Sequence, residues 1–246
     1  WKRVNPTTIE FKLRSDVKWH DGQAFDADDV VYTVKYHLNP KTKYRFRRNI
    51  MFMKTAEKVD RHTVRLIAKR PMAIDLVRYA VSLRMSPQHV HSTFKVPSDF
   101  GRKNPIGTGP YKVASLSVKK GVVLVRSKHY VHGDKAGIKA NIGRMEGIPI
   151  ADIQTQVAQL MTGGLDLLHG VPKDLAERLH KDPRFKMTAS QGLVYFYFSL
   201  DAVGRSKLKV FKDQRVRKAV MMAIDRQSLA KNVISGGSEV RVIDTV

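Results

Sequence analysis

The sequence predicts a mixed α/β (α+β) chain, and three observations carry that expectation. With 246 residues, 42% of them hydrophobic, the chain can bury one large core or two smaller ones. Strand-like and helix-like stretches follow one another irregularly, without the strict strand–helix–strand order of a doubly wound sheet. Finally, Asn104-Pro105-Ile106-Gly107-Thr108-Gly109-Pro110-Tyr111 holds two Pro and two Gly in eight residues, so the backbone must turn there. Tyr111–Leu116 and Val122–Val125, split by Lys119-Lys120-Gly121, then read as a hairpin. The turn is either a loop entering a sheet or a crossing from one layer to another.

Ile9, Phe11 and Leu13 alternate with polar residues, as in a half-buried strand, and Val17-Lys18-Trp19 extends it. His20-Asp21-Gly22 closes it as a turn, with Gly at a positive φ. Asp26 suits a helix N-cap, and Asp28 and Asp29 complement the dipole of the first turn. Val30, Val31, Val34 and Leu38 then share one helical face until Asn39-Pro40. Residues 56–59 and 62–68 read as a hairpin, and Pro71 opens a short helix through Ile74, Leu76, Val77 and Tyr79. Ser86-Pro87 starts another, with Ser at the cap and Pro at the first helical position. Its His89 and His91 are two apart and point in different directions, which argues against a metal pair.

Beyond the hairpin, Ile138–Ile148 reads as a strand ended by Pro149. Ile153, Val157, Leu160 and Met161 form a helical stripe stopping at Gly163-Gly164. Leu165–Leu168 reads as a short buried strand, and Pro172–Leu179 as a helix broken by Asp182-Pro183. Two strands follow, Phe185–Ala189 and Leu193–Leu200, the second strongly β-prone. Asp213 caps a helix with Val216, Ala219, Val220, Ala223 and Ile224 on one face, and Ser228–Ile234 adds a short one.

The charge is the loudest compositional feature: 45 basic against 22 acidic residues, formally +23. It raises nucleic acid, anionic surfaces and acidic ligands as partners. The excess is evenly spread, since residues 1–111 carry 22 basic and 10 acidic side chains and the rest 23 and 12. Aromatics interleave with cations in the densest patch, Lys41–Arg48, which without a nucleic-acid motif beside it reads as a solvated face. Zero Cys removes disulfides, thiolate nucleophiles and Cys-based zinc sites. No apolar run approaches the ~18 residues of a membrane span. Starting on Trp1, the chain reads as an excised or processed piece of a longer one.

Catalytic motifs are missing from the sequence. Gly107-Thr108-Gly109 opens like a dinucleotide fingerprint but meets Lys112 where the third Gly is needed, and no Walker-type loop exists. Gly236-Gly237-Ser238-Glu239-Val240 lacks the final Gly of a nucleophile elbow. No His-Glu-x-x-His occurs, and no Ser-His-Asp set is singled out. The expectation is no enzyme and no cofactor.

Four stretches in register carry a resemblance. They are Phe11–Arg14 through Trp19-His20-Asp21-Gly22 to Asp28-Asp29-Val30; Ile106–Tyr111; Gln156-Val157-Ala158-Gln159-Leu160-Met161-Thr162-Gly163-Gly164-Leu165-Asp166; and Arg215-Val216-Arg217-Lys218-Ala219-Val220 to Ile224-Asp225-Arg226. Together they resemble the family 5 extracellular solute-binding proteins, the oligopeptide-, dipeptide- and nickel-binding components of ABC importers. The similarity runs from Trp1 to about Ser238.

The resemblance implies a type II periplasmic-binding-protein-like fold: a first lobe with an inserted subdomain, and a second lobe missing. Residues 1–22 and 105–212 would be the first-lobe core, 23–104 the insert and 213–246 the start of the second lobe. The Gly-Thr-Gly-Pro-Tyr turn would return the chain from insert to core. The implied function is capture of a peptide or other small polar solute between two lobes and delivery to a membrane permease. That would take place in the periplasm or outside the cytoplasm, with membrane association through the transporter and no specific nucleic-acid partner. The alternative is a basic nucleic-acid or anionic-surface binder. By position, Arg84 is the expected cleft residue near the junction of insert and core. Tyr195, Tyr197 and Ser199 would line the ligand from the strand over Leu193–Leu200. Family members often carry Asn near that strand's end, where this chain has Phe198-Ser199-Leu200-Asp201.

Overall fold

The computed structural model describes residues 1–42, 44, 46–103, 105–130, 140–188 and 197–234. The chain divides into two compact units, Trp1–Ala151 and Asp152–Val246.

The first unit begins with an antiparallel sheet. Strand β1 (Lys2–Asn5) pairs with β2 (Thr8–Lys12), and β3 (Met53–Asp60) with β4 (Thr63–Ala68), in the spatial order β1-β2-β4-β3. This sheet draws strands from both residues 1–22 and residues 23–104. Register follows the apolar alternation: Ile9 faces Leu66 and Phe11 faces Val64. On the opposite face Glu10 is nearly buried, held by Arg65 at 3.0 Å and Lys2 at 3.2 Å. A buried carboxylate is tolerable there because two cations and a hydrogen bond compensate its lost hydration.

Helix α1 (Ala27–Leu38) lies over this sheet, and its start is set locally. The Asp26 side chain accepts the Asp28 N–H at 2.9 Å, and Asp29 reaches back to the Asp26 N–H. Val30 and Val34 are fully buried with Ile9, Ile50, Met53, Val64, Leu66 and Tyr79, while Val31 and Leu38 pack at the margin. Each such valine contributes about 1.5–3 kcal/mol of burial. Short helices α2 (Arg47–Ile50), α3 (Asp75–Ser82), α4 (Gln88–His91) and α5 (Phe100–Lys103) complete this part. Helix α3 starts at Asp75 rather than Pro71, and α4 has Pro87, not Ser86, at its cap. Val17-Lys18-Trp19 does not extend β2. It forms a single bridge, Lys18 to Ala24, because the chain turns at once through Gly22 at φ +97°.

The turn at 105–110 launches a second antiparallel sheet, β5 (Tyr111–Ser117), β6 (Gly121–Arg126) and β7 (Arg144–Gly147), in that order. Gly121 sits at φ +90°, and any Cβ there would fall on the Gly147 carbonyl oxygen. Of the strand expected over 138–148, β7 is the strand part, residues 140–143 are not strand, and 138–139 lie outside the described residues.

In the second unit, α6 (Ile153–Met161) is capped by Asp152, whose carboxylate accepts the Thr155 N–H at 2.8 Å. It ends at Gly163, φ +79°, with the Gly164 N–H bonded to the Gln159 carbonyl at 2.7 Å. Helix α7 (Lys173–His180) packs Leu175 and Leu179 on Val157. Leu165–Leu168 is not a strand: Leu168 and Val171 pack on the α6–α7 cluster, while Leu167 is 82% exposed. Phe185 and Met187 join the same cluster without strand pairing, and Tyr197–Leu200 is likewise not strand. Residues 189–196, and with them the first half of the expected second strand, lie outside the described residues. Helix α8 (Gln214–Met222), capped by Asp213 onto the Arg215 N–H at 2.8 Å, is followed by α9 (Arg226–Leu229).

Candidate solute-contact residues

In the first unit, Arg84 lies in an extended segment after α3. Leu83 and Met85 alternate inward onto the core and leave Arg84 exposed between them. The segment is held at both ends. Leu83 donates its N–H to the Tyr79 carbonyl at 3.1 Å, and the Ser86 N–H donates to the Thr33 hydroxyl of α1 at 2.9 Å. Its guanidinium stands over the Phe46 ring, 5.5 Å from the centroid, a cation–π arrangement that fixes its direction without using all its donors.

Phe46 ends a belt of rings. Tyr44 meets it edge-on at 6.0 Å and stacks flat on His37 at 3.8 Å. His37 adjoins Tyr36, Tyr36 adjoins His91, and His91 adjoins Phe100, with centroids 5.8, 4.6 and 5.2 Å apart. Three members, Tyr32, Tyr36 and His37, come from α1, where i, i+4 spacing puts Tyr32 and Tyr36 on one face.

The belt is electrostatically tuned. Burial, with a smaller push from His91, lowers the His37 pKa to about 4. Burial also lowers the His91 pKa, and its Nδ1 shares a hydrogen bond with the Tyr32 hydroxyl, 2.7 Å away. Burial raises Tyr44, and the charge of Arg84 opposes that rise. Arg84 thus sets a positive charge at the Tyr44–Phe46 end of the aromatic belt. That suits a ligand with a carboxylate beside an apolar or planar body.

In the second unit, Tyr197 is 81% exposed, Phe198 is 66% exposed, and Ser199 is also exposed. Tyr195 lies outside the described residues. The run ends in a tight turn at Asp201, whose carboxylate accepts the Ser206 N–H at 2.6 Å. The N–H groups of Ser206 and Arg205 hold its pKa down to about 2. The structure thus places Arg84 in one unit and Tyr197 and Ser199 in the other.

The His20-Asp21 pair forms no catalytic couple. His20 bonds the Gly107–Gly109 turn, and Asp21 pairs with His89 Nε2 at 2.7 Å. An open depression of about 680 Å³ is lined by Arg3, Asn5, Pro6, Pro71, Met72 and Ala73, and its one cation is committed to Asp75. Among the described residues no group of three His, Cys, Asp or Glu is placed to hold a metal ion. No helix among them is long and apolar enough to cross a membrane.

This mixed α/β architecture is that of the type II periplasmic binding proteins. The family profile for bacterial extracellular solute-binding proteins, family 5 (middle), matches residues 1–242, and the chain belongs to that family. It is 28% identical to the oligopeptide-binding protein AppA of Bacillus subtilis over 247 residues, 95% of this chain and 42% of AppA. It is 26% identical to the glutathione-binding protein GsiB of Pectobacterium atrosepticum, over 93% of this chain and 43% of GsiB. Among solved structures it resembles NikZ from Campylobacter jejuni in complex with Ni(L-His), with a TM-score of 0.79 and 26% identity over 94% of this chain and 45% of NikZ. The B. subtilis AppA complex with a nonapeptide gives the same TM-score and identity, over 97% of this chain and 46% of AppA. The chain therefore spans less than half the length of these relatives. The family consists of transport binding proteins, and its members are extracellular or periplasmic.

Proposed function

We propose that this chain forms part of the substrate-binding component of an ABC importer, which captures a peptide or another small polar solute and passes it to a membrane permease. The observation that carries this reading is the family match over nearly the entire chain. Capture by closing two lobes needs recognition and exclusion of water, with no catalysis. The site of action is periplasmic or extracytoplasmic, with membrane association through the permease. Within the chain, residues 1–22 and 105–212 form the first-lobe core, 23–104 an insert, and 213–246 the start of the second lobe.

Arg84 receives a carboxylate of the solute, and the Tyr44–Phe46 end of the belt meets its body. Tyr195, Tyr197 and Ser199 are the other solute-contact residues of this reading. Support for Arg84 comes from its clamped backbone and exposed side chain; support for Tyr197 is its exposure on an aromatic run. The test is calorimetric titration with trialanine, trialanine amide, a nonapeptide, glutathione and the nickel–histidine complex. Free acids should bind more tightly than the amide, and Arg84→Met should erase the difference. A charge-assisted bond of about 1.5–3 kcal/mol corresponds to roughly a 10- to 100-fold loss. Equal losses for acid and amide would remove Arg84 from the site, and turnover of any probe would end the binding-only reading.

A further inference from the structure

Two turns from distant parts of the sequence interlock in the first unit. The His20 N–H donates to the Gly107 carbonyl at 2.9 Å, the Gly107 N–H donates to His20 Nδ1 at 3.1 Å, and His20 Nε2 lies 3.0 Å from the Gly109 carbonyl. A donor faces Nδ1 and an acceptor faces Nε2, so the ring is neutral with its proton on Nε2. The approach is close: a Cβ on Gly107 would stand 3.3 Å from the His20 ring, which would have to shift by a few tenths of an ångström. The contact has a counterpart across the same joint: the His129 ring lies 3.1 Å from where a Cβ on Gly22 would be. The Ser127 N–H also donates to the Pro110 carbonyl at 2.9 Å. The His20 bonds join the turn that precedes α1 to the segment that launches the three-stranded sheet.

We propose that His20 is a positioning residue for solute capture: its neutral ring locks the Gly107–Gly109 crossing, and protonation at Nδ1 releases it. The proposal rests on the solute-binding reading, because the crossing carries the chain out of the body that holds Arg84. Protonation would set a ring N–H against the Gly107 N–H, two donors with no acceptor between them. The groups facing His20 are Asp21 on its own turn, Lys112 at the start of β5, and His129 after β6. Asp21 favours protonation, and so release, but its carboxylate is already engaged by His89 from α4. Lys112 and His129 oppose protonation, and so release, since both repel an imidazolium. Burial is the largest influence and lowers the His20 pKa; the Gly109 carbonyl raises it, and Lys112 and His129 lower it further. A base whose folded pKa is lowered keeps its contact through the ordinary histidine range and loses it only as pH falls through the lowered folded value.

The experiment follows the His20 ring and the Gly107 amide by NMR from pH 7.5 to 5, beside calorimetry with whichever of trialanine and glutathione binds at pH 7.5. Exchange at Gly107, corrected for its intrinsic pH dependence, should rise about fivefold relative to amides of the β2–β4 ladder, the loss of one hydrogen bond. Affinity should fall over the same interval. His129→Gln removes a like charge and should move both transitions to higher pH, whereas His20→Phe should abolish the pH dependence. Gly107 exchange that tracks the ladder at every pH overturns the lock. The same acid loss of affinity in His20→Phe overturns the positioning role. Should His20→Phe fail to fold, the His129→Gln shift decides, and unmoved transitions overturn the proposal. If neither peptide binds at any pH, the solute-binding reading fails, and the Gly107 amide alone decides the lock.

Discussion

Arg3 grips Asp75 with both terminal guanidinium nitrogens, at 2.8 and 3.0 Å, and so ties the edge strand β1 to the first turn of α3. The Asp75 side chain is nearly buried, and its Oδ1 also accepts the Leu76 N–H at 2.8 Å. An acidic group in that first turn also suits the helix dipole. Arg3→Gln should lower the urea midpoint, because it leaves a buried carboxylate with no cation. The sign with pH follows from Asp75, held below the usual carboxylate range chiefly by Arg3. Its contribution is complete above about pH 4 and is lost as pH falls through the lowered folded value. Arg3→Gln should therefore weaken the acid dependence of stability below pH 4, and an unchanged acid limb would show the pair to be silent.

Asp29 organises three segments. Its Oδ2 accepts the buried Trp19 indole N–H at 2.9 Å and, more weakly, the Asp26 N–H at 3.4 Å; its Oδ1 accepts the Gln88 N–H at 2.9 Å. The 19–23 turn, the start of α1 and the start of α4 thus share one carboxylate. Asp29→Ala strands the buried Trp19 donor and the part-buried Gln88 donor and should cost about 2–6 kcal/mol, at about 1–3 for each. Trp19→Phe removes one donor and leaves the others paired. Denaturation of both single mutants and the double mutant should give a coupling energy of about 1 kcal/mol. Strict additivity would mean the bond contributes nothing beyond packing.

What could be read in the sequence was what is decided locally. The Asp26 cap, the Gly22 turn, the Gly163 stop and both hairpins all rest on residues within a few positions of each other. Strand β1 was invisible because all four of its residues are exposed, so it has no alternation to display. Leu165–Leu168 and Phe185 misled because a short apolar run says only that something is buried. Leu168 and Phe185 do pack, but on helices α6 and α7. The Lys41–Arg48 patch had its aromatics noted, yet their partners His37 and Arg84 come from other elements. Nothing in the spacing announced that His20 would meet Gly107, 87 residues away.

The aromatic belt makes the first unit sensitive to acid, through His37. This residue is 3% exposed, stacks on Tyr44, and its Nδ1 is without a hydrogen-bond partner among the described residues. Burial first, then the nearby His91, lower its pKa to about 4, and burial lowers His91 as well. In the unfolded chain both rings take up protons near pH 6.5. Between about pH 6.5 and 4 the unfolded state therefore binds more protons than the folded one, and stability falls as pH falls. One such proton gives a slope of at most about 1.4 kcal/mol per pH unit, reduced by whatever solvent screens. His37→Phe keeps a ring against Tyr44 and removes both the titration and the unpaired nitrogen. Urea unfolding from pH 7 to 4.5 should then show a shallower loss for His37→Phe than for the parent chain, with the residual slope due to His91 and His20. Parallel pH profiles would mean that His37 is protonated alike in the folded and unfolded states, and that the belt tolerates its charge.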